Sequence, residues 1–137
     1  MKQVIFDSIL NSLRNRIKVN LDADHNGGFY NPILDSIFIS PKLSLKNKFR
    51  TLFHELGHAS GLKGRSYRLA INTPKYKLTR EEIATEEITA ELICLKLLKH
   101  YDLLNDELFE ISKKYMKDWG KFVSQVKFIT QAHNDTE

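Results

Sequence analysis

Apolar residues recur near helical spacing at the start of the chain. Val4, Ile5, Ile9, Leu10, Leu13 and Ile17 predict a first helix over residues 3–17. The run DADHNGG, residues 22–28, is turn chemistry. The pattern then changes period. In FYNPILDSIFIS, Phe29 and Tyr30 end one short strand, Asn31 and Pro32 start a turn, and Ser36 to Ser40 alternate as a second strand closed by Pro41. Helical spacing returns after Ser44, a capping residue, with Leu45, Phe49, Leu52, Phe53 and Leu56; Gly61 suits the position just past the C-terminus. Residues 62–78 read as a basic loop without a period. Thr79 and Glu82 form a capping box, opening a long helix that runs to about His100. Asn105 or Asp106 starts a further helical segment, which Gly120 weakens. One helix, a small antiparallel hairpin and several further helices make an α+β chain. No repeat or Pro/Gly-rich linker divides it, so residues 1–137 are expected to form a single domain with a frayed end at HNDTE.

The second predicted helix carries FHELGH. His54 and His58 stand four apart, so both imidazoles face one way and can meet one metal ion. Zinc takes imidazole nitrogen and, in catalytic sites, three protein ligands plus a water. Glu55 follows the first histidine and would sit beside that water as general base. Phe53 and Leu56 surround the motif with apolar character, and Gly57 and Gly61 allow other backbone to come close. A third histidine six residues beyond the second would complete one known ligand set, but Gly64 stands there. The carboxylates of EEITAEL remain. Glu87 and Glu91 share a helix face, with Ala90 small enough for two helices to approach. Glu87 is the expected metal ligand and Glu91 the group that holds the other ring nitrogen of a ligating histidine; the reverse assignment is the alternative.

Other side chains were weighed around this centre. Tyr30 and Tyr67 could donate to an oxyanion, although core packing for Tyr30 and surface exposure for Tyr67 are the favoured readings. Arg65 and Arg68 read as solvated, with pairing to Glu86 or Glu91, or to a substrate carboxylate, as the alternatives. The strand from Ile37 to Ser40 could offer a free edge to an extended peptide. His25, His100 and His133 have no partner at ligand spacing and read as surface residues, and Trp119 reads as core.

Composition narrows the setting. Of 137 residues, 42% are hydrophobic and 28% charged, as in a globular protein with one modest core. No apolar run approaches a membrane span, and the amphipathic start MKQVIFDSILNSLRNR lacks a signal peptide's apolar segment; a cytoplasmic location is the expectation. The lone Cys94 reads as a small core residue. The net charge of +4 is compatible with nucleic-acid contact, but basic residues are spread among acidic ones without a stripe, so solvation is favoured. The expected partner is a protein or peptide substrate; no feature sets an oligomeric state.

Taken together, FYNPILDSIFIS, TLFHELGHASG and REEIATEEITAEL resemble the metallopeptidase domain of ArdC-type antirestriction proteins and related polyvalent proteins of phages and plasmids. The match rests on Tyr30, Pro32 and Asp35, on His54 to Gly61, and on Glu86, Glu87, Ala90 and Glu91; Tyr115 and Trp119 are similar to an aromatic pair in that family's C-terminal helix. The resemblance implies a zincin-like fold, a small sheet packed on the HExxH helix with the glutamate ligand on the next long helix, and a zinc-dependent metallopeptidase activity of mobile-element origin. It also implies two alternatives: an antirestriction or DNA-associated module with a zinc site and little proteolysis, or, through a weaker resemblance to regulatory metallopeptidases, a protease that cuts a repressor.

Overall fold

The computed structural model describes residues 1–22 and 26–123. The expected surface positions of His25 and His133 and the expected frayed end at HNDTE lie outside those residues. The element order is α1 (Lys2–Leu13), β1 (Lys18–Asn20), β2 (Gly28–Asn31), β3 (Ser36–Ile39), α2 (Leu45–Ala59), α3 (Arg80–His100) and α4 (Asp106–Gly120), with short 3-10 turns at Leu69–Ile71 and Lys75–Lys77 in the loop before α3. This is an α+β fold, as expected.

The sheet departs from a simple hairpin. Its order is β1-β3-β2, with β2 antiparallel and β1 parallel to β3. Strand β3, expected as a free edge, is therefore central, and its Ile37 and Ile39 are fully buried. The open edge on the site's side is β2. Ser40 N–H donates to Gly27 O, and Phe29 is paired with Phe38, so the alternation of an antiparallel ladder turns the main-chain groups of Gly28 and Tyr30 outward. Helix α1 also ends earlier than expected. Its buried face is Phe6 and Ile9, Val4 is exposed, and the chain turns at Arg14–Arg16 so that Ile17 enters the core beside β1.

Caps set the other helices where their sequences require. Ser44 accepts from Asn47 N–H, Thr79 and Glu82 form the reciprocal capping box, and Asn105 accepts from Leu108 N–H. The core runs between α1, the sheet, α2 and α3. Phe6 meets Phe49 edge-on at 5.2 Å, and Phe53 stacks on Tyr101 at 5.6 Å. Cys94 is buried among them. Helices α2 and α3 approach closely because of Gly57. A Cβ there would lie 2.7 Å from the Ala90 carbonyl oxygen and 2.8 Å from its Cα. Gly61 serves a neighbouring contact rather than a left-handed cap: a Cβ there would meet the Arg68 guanidinium carbon at 2.9 Å.

Candidate metal centre

Helix α2 presents His54 and His58 one turn apart, with ring centroids separated by 4.8 Å. Both rings are aimed the same way. The Nδ1 atoms point outward, to Glu91 Oε1 at 2.8 Å from His54 and to Glu86 Oε2 at 2.9 Å from His58. The Nε2 atoms point inward and each lies 3.2 Å from an oxygen of Glu87, on α3. One donor atom from each of His54, His58 and Glu87 lies within 4.8 Å of the others, close enough to hold one metal ion. Each Nδ1 faces a carboxylate, a contact that with a metal bound would hold the ring proton outside and leave the Nε2 lone pair for the ion.

The charges around this point fit a divalent ion. Four carboxylates, Glu55, Glu86, Glu87 and Glu91, face two guanidiniums, those of Arg50 and Arg68. With neutral imidazoles that leaves two negative charges in a mostly buried space, the charge one such ion balances. The same surplus appears in the titration of the histidines. Burial works against the His58 charge, yet hydrogen bonds to Glu86 and Glu87 push its pKa up to about 10. His54 is raised against the same burial by Glu87 and Glu91. Burial alone would raise Glu87; His54, His58 and Tyr115 instead hold it well below the usual carboxylate range. Glu55 is raised, chiefly by desolvation, against the lowering influence of His58 and His54.

Two arginines brace the histidines: Arg68, expected to be solvated, and Arg50, which the sequence reading did not single out. Arg68, 5% exposed, donates to Glu86 through Nε at 2.7 Å and Nη2 at 3.0 Å, and reaches the carbonyl of Gly57 at 2.6 Å. Arg50 donates to Glu91 at 2.9 Å, and the Ser112 hydroxyl donates to the same carboxylate. Arg65 does not join this centre; it forks onto Asp35 at 2.7 and 2.8 Å and ties the β2–β3 turn to the loop after α2. Arg68 thus pairs with Glu86, the alternative to solvation, because a carboxylate this enclosed requires a partner.

The tyrosines sort differently. The Tyr30 hydroxyl donates to Asp35 at 2.8 Å, within the clamp that Arg65 completes. Tyr67 is 55% exposed and is not among the described residues lining the cavity. Tyr115, on α4, does line it and donates to Glu87 Oε1 at 2.5 Å, with its ring edge-on to His54 at 5.3 Å. Trp119 follows one turn later on the same helix. Their one local signal is spacing: Leu108, Ser112 and Tyr115 fall on a single face of α4. His100 lies in the last turn of α3, edge-on to Tyr101 and exposed.

The centre opens into a cavity of about 900 Å³. Strand β2 lines it with Gly28, Phe29 and Tyr30, and Leu62, Ile71, Leu78 and Ile83 give it apolar lining beside the acidic residues. Among the described residues no helix is long and apolar enough to cross a membrane. A family model described as a zincin-like metallopeptidase matches residues 8–134. No curated protein and no solved structure matches the chain.

Proposed function

The chain belongs to the zincin-like metallopeptidase family, and from that premise we propose that it is a zinc-dependent endopeptidase acting on an extended peptide segment. The observation that carries the proposal is the convergence of the inward Nε2 atoms of His54 and His58 with the Glu87 carboxylate. In this reading those three residues hold the metal. Two imidazoles and one carboxylate are a common donor set for zinc in hydrolytic sites. A bound zinc ion would lower the pKa of a water and polarise the scissile carbonyl.

The rest is the work of the chain. Glu91 and Glu86 orient the rings of His54 and His58, each carboxylate neutralised by its own arginine. Glu55 takes the proton of the attacking water and passes it to the leaving amine. It lines the same cavity as Gly28 and Tyr30 of β2, whose outward backbone would pair with the substrate. The apolar lining of Leu62, Ile71, Leu78 and Ile83 favours a bulky apolar side chain next to the scissile bond. A phage, plasmid or other mobile-element setting rests on the resemblance to ArdC-type domains and belongs to the same proposal.

The test uses a peptide library with protein prepared with and without zinc. Glu55→Gln should keep its zinc and lose cleavage by about 100- to 10,000-fold. Cleavage that survives both chelation and this substitution would refute the proposal.

A further inference from the structure

We propose that Tyr115 is a catalytic residue of this centre, whose hydroxyl donates a hydrogen bond to the oxyanion that forms on the scissile carbonyl oxygen. The inference rests on the peptidase reading and adds a residue on a third element, α4, to it. Four observations support it. Tyr115 lines the cavity, and its hydroxyl reaches Glu87 Oε1 at 2.5 Å, so a donor stands at the edge of the proposed metal position. Its ring packs edge-on against His54 at 5.3 Å, which fixes the side chain. The Arg50 guanidinium carbon lies 5.9 Å from the centre of the same ring, a further contact that holds it in place. Finally, Glu55 lines the cavity from α2, whereas Tyr115 enters it from α4, so a base and a donor face the same space from separate elements.

The chemistry calls for such a donor. Attack of the water oxygen on the carbonyl carbon sends the water's proton to Glu55 and the π pair onto the carbonyl oxygen. That oxygen becomes negative in a site already crowded with carboxylates, and Tyr115 can turn its O–H from Glu87 onto it. On collapse the pair returns, the C–N bond breaks and the proton on Glu55 leaves with the amine. A fixed donor aimed at developing charge in a water-poor site acts on the transition state and barely on the ground state. The other tyrosines weighed for this role are spent elsewhere: Tyr30 donates to Asp35, and Tyr67 lies off the cavity.

The experiment compares wild type with Tyr115→Phe, each loaded with zinc. Three quantities are read: zinc affinity by competition with a chromophoric chelator, kcat and KM on a cleaved peptide, and calorimetric binding of a phosphonate peptide that mimics the tetrahedral state. The expected result is a kcat lower by about 100- to 1,000-fold, KM and zinc affinity within about threefold, and phosphonate affinity reduced in parallel with kcat. Tyr115→His, which keeps a ring donor, should recover part of kcat, and equal melting temperatures establish that the variants fold. Zinc affinity lowered tenfold with kcat restored at saturating zinc would overturn the proposal, because Tyr115 would then only steady Glu87. A kcat within threefold of wild type would overturn it too. A wild type without zinc-dependent cleavage would sink the peptidase reading itself, a distinct outcome.

Discussion

Replacing Gly57 with alanine tests the geometry on which the metal centre depends. The new Cβ would stand 2.7 Å from the Ala90 carbonyl oxygen, where ordinary contact begins at 3.4 Å. The difference, 3.4 minus 2.7, is 0.7 Å, and the obstructing atoms are backbone of α3, with no flexible side chain to yield. Helices α2 and α3 must therefore separate by several tenths of an ångström. Alanine returns about 1 kcal/mol of helix propensity, while overpacking of this kind costs about 1–3 kcal/mol. The net effect is a loss of about 0–2 kcal/mol, or a melting temperature lower by up to about 10 °C for a domain of this size. The metal site suffers more, since coordination distances tolerate only about 0.2 Å. His54 and His58 ride on one helix and Glu87 on the other, so metal affinity should fall at least about tenfold, on the scale of lost ligand support. Chelator competition and thermal unfolding by circular dichroism measure both. Gly120→Ala, whose Cβ would meet nothing within 4 Å, is the control: it should leave metal affinity unchanged and raise stability by up to about 1 kcal/mol. If Gly57→Ala bound metal as wild type does, the claim that the helices meet backbone to backbone would be wrong.

Arg68→Met strands the enclosed Glu86 carboxylate and should cost about 3–5 kcal/mol in urea unfolding; a loss under 1 kcal/mol would deny the clamp any structural weight. Glu91→Gln leaves the shape but removes the charge facing His54 Nδ1 and Arg50, and should weaken zinc binding by about 10- to 100-fold in calorimetry. Burial and the hydrogen bond to Asp35 push the Tyr30 phenol from 10.0 up to about 12. A raised folded pKa means the stabilisation is fully present below pH 10 and is lost as pH rises through about 12. Alkaline unfolding of Tyr30→Phe should therefore show a shallower decline across that window than wild type, and equal slopes would contradict the assignment.

Much of the centre was legible because helical spacing is a local code. His54 and His58 share a face by arithmetic alone, as do Glu87 and Glu91, and the capping box at Thr79 announced where the second helix begins. Strand β1 was not legible. Its three residues are too few to show alternation, and it is held by a parallel partner some eighteen positions away (Lys18 against Ser36). That same pairing made β3 central and moved the open edge to β2. Arg68 sits in a basic loop without period, and nothing nearby in sequence distinguishes an arginine bound for the interior from a solvated one. Its burial is decided by Glu86, on another element, and by the space that Gly61 leaves. Tyr115 is a similar case: its face on α4 could be read, but not which helix that face meets.

The groups that surround the inward nitrogens come from residues as far apart as Arg50 and Tyr115, the latter on α4. Ser112 and Tyr115 touch the two glutamates of α3 only after that helix has docked. A chain emerging from the ribosome would thus carry the histidine motif long before it possessed a finished centre. The centre is whole only once α4 has docked on α3, so the histidine motif of α2 is by itself unfinished.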